Sequence, residues 1–177
     1  MRDRATAQRG VTLLELTVVV AIVGILAAVV VPNWASTARN KKYDPEISAM
    51  FAEISTREEQ YKSEQGNGTY LTATNCPATP NPKGIDFNAA CVTASSPWAL
   101  LRVNPTDSSI RCTYAINTGL SGVVPAVPVG CAAAPAALTG SWYFIVATCD
   151  MDGKGGTNAT FCASSWNTQQ SNANYGL

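Results

Sequence analysis

The 177-residue chain contains no histidine. Without an imidazole it lacks the usual general base at neutral pH, the Ser-His and Cys-His nucleophile systems and the commonest metal ligand. It also lacks the nucleophile motif G-x-S-x-G. The candidate carboxylate pair for catalysis would be Asp150 and Asp152, and a membrane-anchored enzyme is a remote alternative. Charge is balanced, with 12 Lys and Arg against 12 Asp and Glu. No segment is strongly basic, so sequence-independent attraction to nucleic acid is weak and no nucleic-acid partner is expected.

Cysteine is missing from the first 75 residues, and no C-x-x-C pair occurs anywhere. That argues against zinc and thioredoxin-like chemistry. Six cysteines follow: Cys76, Cys91, Cys112, Cys131, Cys149 and Cys162. An even count confined to the downstream part, behind an apolar segment, reads as disulfides in an oxidising compartment. Sequential pairs are expected, Cys76–Cys91, Cys112–Cys131 and Cys149–Cys162, because each closes a short loop.

The apolar segment runs from Val11 to Val31, 21 residues. As a helix it measures about 31 Å, the thickness of a bilayer's hydrocarbon core. Arg2, Arg4 and Arg9 precede it, which keeps that end cytoplasmic and sends residue 32 onward outside. The run is too long for an ordinary secretory signal, and no A-x-A-like site follows it. Glu15, its fifth residue, is the anomaly. It is either tolerated near the interface, or it is paired and functional, since an unpaired carboxylate in lipid costs a few kcal/mol.

Gly10 followed by V-T-L-L-E-L, then an apolar run ending at Pro32, resembles the N-terminal signature of type IV pilins and pseudopilins. The match covers roughly residues 9–34. The resemblance implies that a prepilin peptidase removes a leader, residues 1–10, by cutting after Gly10, and that the new N-terminus, Val11, is methylated. It implies that Thr12 belongs to the processing and assembly pattern. It also implies that Glu15 pairs with the amino group of Val11 on a neighbouring subunit in a fibre. Two opposite charges in a low-dielectric core attract strongly and are each costly alone, so such a pair acts as a register device. Val11 departs from the family, which most often has Phe there. Gly24 and Pro32 are weak points in the helix. They read either as a kink or, by resemblance, as a stretch that loosens when the helix moves from membrane to fibre. Loss of the leader removes three arginines and one aspartate, leaving nine basic and eleven acidic residues.

Beyond the apolar run, Ile47, Met50, Phe51, Ile54 and Tyr61 recur at helical spacing, with Glu53, Arg57, Glu58 and Lys62 assigned to the opposite, solvated face. Asp44-Pro45-Glu46 resembles a helix start, with Asp44 as cap and Pro45 first. The expectation is one long helix from Val11 to about Gln65, bent at Pro32 and at Pro45, and ended by Gly66-Asn67-Gly68. Residues 66–97 read as a loop pinned by Cys76–Cys91. Strands are expected at 98–103, 110–116, 141–149 and 157–166, where aromatic and β-branched residues lie between turn signals. Residues 119–140 read as an extended surface loop.

The predicted class is therefore α+β, a long N-terminal helix packed on a four-stranded antiparallel sheet. The predicted organisation is a leader, 1–10; a transmembrane and assembly helix, 11–31; its amphipathic continuation, 32–65; and a globular head, 66–177.

Asp150-Met151-Asp152-Gly153 opens like a calcium loop, but Phe161 stands where the EF-hand spacing requires a bidentate Glu. A hairpin turn is the competing reading, since turns use Asp and Gly anyway. Asn67-Gly68-Thr69 and Asn158-Ala159-Thr160 match the glycosylation sequon and are assigned no function.

By resemblance, the function expected is a non-enzymatic type IV pilus subunit, major or minor, that polymerises through its N-terminal helix into a fibre for adhesion or twitching motility. The alternative is a type II secretion pseudopilin, which the acidic loop favours. Implied partners are other copies and other pilins, the prepilin peptidase and an inner-membrane assembly platform. The implied location is the inner membrane, as a single pass, then an extracellular pilus or periplasmic pseudopilus.

Overall fold

The computed structural model describes residues 12–175, and the side chains of residues 12–28 and 41–175. The chain divides into two compact units, residues 1–38 and 39–177.

In the first unit, helix α1 spans Leu13–Asn40. The second unit opens with helix α2, Tyr43–Glu64. One long helix was expected to run to about residue 65. The helix instead stops at a turn, Lys41–Lys42, and restarts. The break falls at neither proline: α1 continues through Pro32, and Pro45 is the third residue of α2. In a first turn the missing N–H of proline costs nothing, because that group has no intrahelical acceptor. The α2 cap position is Lys42, which makes no side-chain cap bond, rather than the predicted Asp44.

Among the described residues, no helix is long and apolar enough to cross a membrane. The predicted span, residues 11–31, reaches beyond the described side chains at both ends.

The rest of the second unit holds β1 Ala73–Cys76, β2 Ile85–Asp86, helix α3 Phe87–Cys91, helix α4 Pro97–Leu100, β3 Ser109–Ile110, β4 Thr113–Gly119, β5 Trp142–Cys149, β6 Ala159–Ser164 and β7 Asn167–Ala173. The sheet has five strands rather than four, in the order β1-β4-β5-β6-β7, and β2 pairs separately with β3. All pairings are antiparallel.

Register explains the core. Tyr114 lies opposite Ala147 and Ile116 opposite Ile145. Ile145 in turn faces Ala163, and Ala147 faces Phe161. Residues in register share a face, so these six make one apolar surface across three strands. Onto it α2 buries Tyr43, Ile47, Met50, Phe51 and Ile54. Phe51 meets the Tyr114 ring edge-on, with centroids 6.4 Å apart. Tyr61, the last predicted stripe residue, is partly buried against the same core.

One expected strand is lost and others are gained. Residues 98–103 begin in α4, not in a strand. Ser96 caps this turn by accepting the Ala99 N–H at 3.1 Å, and Pro97 occupies its first position. That serine–proline start outweighs an aromatic and branched composition. Trp98 is then buried edge-on against Phe87, and its indole N–H donates to the Thr74 carbonyl at 3.2 Å. The added strands are β1 and β7. The sequence of β7, NTQQSNA, has almost nothing apolar. It is an edge strand with mostly exposed side chains, so no alternating pattern is needed.

The opposite face of the sheet has its own small core. Trp142 and Phe144 stack with centroids 6.1 Å apart, and Trp166 meets both edge-on. The predicted 119–140 loop covers this face, and the Trp142 indole donates to Val123 O at 2.7 Å. Gly119 is Trp142's cross-strand partner. A Cβ there would run into the Trp142 ring, so only glycine leaves room for the stack.

One predicted disulfide forms, Cys76–Cys91. The other four cysteines pair as Cys112–Cys149 and Cys131–Cys162, not sequentially. Cys112 precedes β4 and Cys149 ends β5, one step beyond the Thr113–Thr148 pair, with Cα atoms 4.4 Å apart. Cys162 lies opposite Val146 on β5, three positions from Cys149. An odd offset puts the two on opposite faces of the sheet, beyond mutual reach. Cys162 instead ties down the covering loop through Cys131.

Candidate assembly segment

Within α1, the predicted assembly residues Thr12 and Glu15 form a helix start. The Glu15 N–H donates to Thr12 Oγ1 at 3.2 Å, and the Leu16 N–H donates to the Thr12 carbonyl at 3.1 Å. Thr12 is thus the cap and Glu15 the third helical residue. Thr-x-x-Glu is the pattern of a capping box, a local signal available in the sequence but overlooked beside the position of the charge. A carboxylate in the first turn also faces the positive end of the helix dipole. Thr17 Oγ1 donates back to the Leu14 carbonyl at 2.8 Å.

Every described side chain of α1, from Thr12 to Ala28, is exposed. Leu13 is 80% exposed, and Leu16, Ile22, Ile25 and Leu26 are all more than half exposed. Among the described side chains no polar face offsets them, so this stretch of the helix is apolar all round. Such a surface is stable only against lipid or other apolar helices. A side chain at Gly24 would meet nothing within 4 Å in the unit as it stands. Gly10 and Val11, the predicted cleavage and methylation residues, lie outside the described residues, as does the Pro32 side chain.

The Asp150 loop is a turn within the second unit. Asp150 accepts the N–H of Gly153 at 2.8 Å and of Gly155 at 3.3 Å. Asp152 accepts the Lys154 N–H at 3.0 Å, and this bond is the main reason its carboxyl titrates below the usual range. Gly153 and Gly155 both take positive φ, which the turn requires. The Tyr43 hydroxyl anchors the loop by donating to the Asp150 carbonyl at 3.0 Å. Among the described residues no three His, Cys, Asp or Glu side chains gather where they could hold a metal ion.

Two carboxylates on α2 are structural. Glu46 accepts four hydrogen bonds: from the Arg111 N–H at 2.7 Å, the Cys112 N–H at 3.1 Å, the Tyr114 hydroxyl at 3.2 Å and the Arg111 guanidinium at 3.2 Å. Burial beside Glu46 raises the Tyr114 phenol well above its ordinary range. Glu58 was assigned to the opposite face with Glu53, Arg57 and Lys62, yet it is wholly buried. Its spacing explains this: Glu58 lies four residues after Ile54 and three before Tyr61, on the apolar stripe itself.

No curated protein and no solved structure matches the chain. Residues 6–31 match the family model described as the prokaryotic N-terminal methylation motif. Its bounds enclose Gly10, Val11, Thr12 and Glu15 and end where the apolar run ends. The chain therefore carries the prepilin signature of type IV pilins and pseudopilins.

Proposed function

We propose that this protein is a structural subunit of a type IV pilus, made as a prepilin and polymerised through its N-terminal helix into a surface fibre. The observation that carries the reading is α1, a helix bearing the methylation motif whose described side chains are all exposed and mostly apolar. Before assembly, lipid covers that surface, with the N-terminus cytoplasmic and the second unit outside. In the fibre, helices of neighbouring subunits cover it. Apolar burial at roughly 25 cal/mol per Å² drives the packing, and the Glu15 carboxylate sets register against the amino group of Val11 on a neighbour. Peptidase cleavage after Gly10 creates that amino group.

The second unit suits a fibre surface. Three disulfides, helix α2 on one sheet face and a loop over part of the other hold it together, each bridge contributing about 2–4 kcal/mol. No part of this reading requires catalysis. It supports adhesion or motility as fibre functions rather than any activity of the single subunit.

The test is intact mass of the protein from sheared surface filaments, beside a Glu15→Val strain. Wild type cut after Gly10, methylated on Val11 and bearing three disulfides, with the variant absent from filaments, is the expected result. Processed protein held entirely in the membrane fraction would replace the surface pilus with a periplasmic pseudopilus of the secretion type. Retention of residues 1–10 would overturn the reading.

A further inference from the structure

The buried carboxyl of Glu58 is not used by the assembly reading, and its surroundings are unusual. Glu58 is 0% exposed. Its Oε2 accepts one bond, from the Leu71 backbone N–H at 2.9 Å. Its Oε1 is buried and has no hydrogen-bond partner among the described residues. An ionised carboxylate has about four lone-pair sites to satisfy, and one N–H is a poor replacement for water.

The neighbouring charges do not compensate. Lys62, one turn further along α2, donates instead to the Tyr70 hydroxyl at 3.0 Å and lies over the Tyr70 ring. The Tyr70 hydroxyl donates to Glu59 at 2.7 Å. Glu59 therefore adds a like charge beside Glu58. From β5, Tyr143 packs edge-on against Tyr70 with centroids 4.8 Å apart and brings a phenol, not a cation. The titratable groups beside Glu58 are Glu59, Tyr61 and Lys62 on α2, Tyr70 on the segment after it and Tyr143 on the sheet. None forms a salt bridge with Glu58, and the two salt bridges among the described residues lie elsewhere.

We propose that the Glu58–Leu71 contact is a pH-sensitive latch, closed while Glu58 is protonated and loosened when it ionises. The latch joins the end of α2 to residues 66–72, which lead into edge strand β1. Ionisation is relieved only by moving the carboxylate out to water. That movement breaks the bond to Leu71 and loosens the lead-in at that residue, while Tyr70 and Thr72 keep their own contacts. The Leu71 N–H bond by itself favours the ionised form, but desolvation outweighs it and, with a smaller contribution from Glu59, pushes the Glu58 carboxyl up to about 7, which sets the range. A folded-state value raised above the unfolded one means that stability is fully present below the ordinary carboxylate range. It is lost as pH rises through about 7.

The experiment uses the processed full-length protein in detergent micelles, wild type beside Glu58→Gln. As pH rises from about 5 to about 8, the wild-type thermal midpoint falls. Protection of the Leu71 amide against hydrogen exchange drops by up to about a hundredfold beyond the chemical rise in exchange rate. The glutamine variant loses both dependences. A flat wild-type midpoint and flat Leu71 protection would overturn the proposal, as would a glutamine variant that titrates like wild type. If that variant does not fold, the infrared band of protonated carboxyl decides on wild type alone. Its persistence to about pH 7 supports the latch, and complete ionisation by about pH 6 ends it.

Discussion

Glu46 and Arg111 are 65 positions apart in sequence and joined twice, by a backbone N–H at 2.7 Å and a guanidinium contact at 3.2 Å. With Cys112 and Tyr114 they form the polar clamp between α2 and the strands it lies on. The Glu46 side chain is only 6% exposed, so each of its bonds is made away from bulk water.

Glu46→Ala should therefore destabilise the protein by about 3–5 kcal/mol, because it leaves two amides, a phenol and a guanidinium without their acceptor. Denaturant unfolding of the full chain in detergent measures this. A loss below 1 kcal/mol would mean that water replaces the carboxylate freely.

Peptide mapping under non-reducing conditions should recover Cys112 linked to Cys149 and Cys131 linked to Cys162. Serine at both Cys131 and Cys162 should cost about 2–4 kcal/mol and open the 119–140 loop to protease while β4 and β5 stay paired. Recovery of Cys112 with Cys131 would contradict the sheet register.

Gly119→Val should cost about 1–3 kcal/mol, since its side chain must displace the Trp142 ring from its stack with Phe144. Tryptophan fluorescence would report the displacement. An unchanged spectrum with unchanged stability would show that the ring has room to move.

Thr12→Ala removes the acceptor for the Glu15 N–H and should reduce helix stability at the α1 start by about 1 kcal/mol, with Thr12→Ser restoring it. Amide exchange at residues 13–16 in micelles is the readout. Glu15→Val keeps this cap, because the bond uses the Glu15 backbone. It should fail in assembly while α1 stays helical. A Glu15→Val protein that has lost the α1 start would make its assembly defect a folding defect.

Local patterns carried much of this protein. The lone glutamate in an apolar run, the glycine and arginine before it and the helical stripe through Ile54 are short-range features. The α1 cap was equally local, as Thr12-x-x-Glu15, and went unread. Cys76–Cys91 was legible because sequence separation and spatial distance agree there.

Tertiary structure alone decided the rest. Which cysteine meets Cys112 depends on the β4–β5 register, and a period of two residues puts Cys149 and Cys162 on opposite faces. Strand β7 exists because β6 offers it a ladder, not because its own residues favour one. Glu58 shows the two levels in conflict. Its spacing from Ile54 set the direction of its side chain, but only the sheet beneath α2 turned that direction into burial. Residue identity is local, whereas the loss of water that gives a carboxylate its chemistry is a property of everything packed around it.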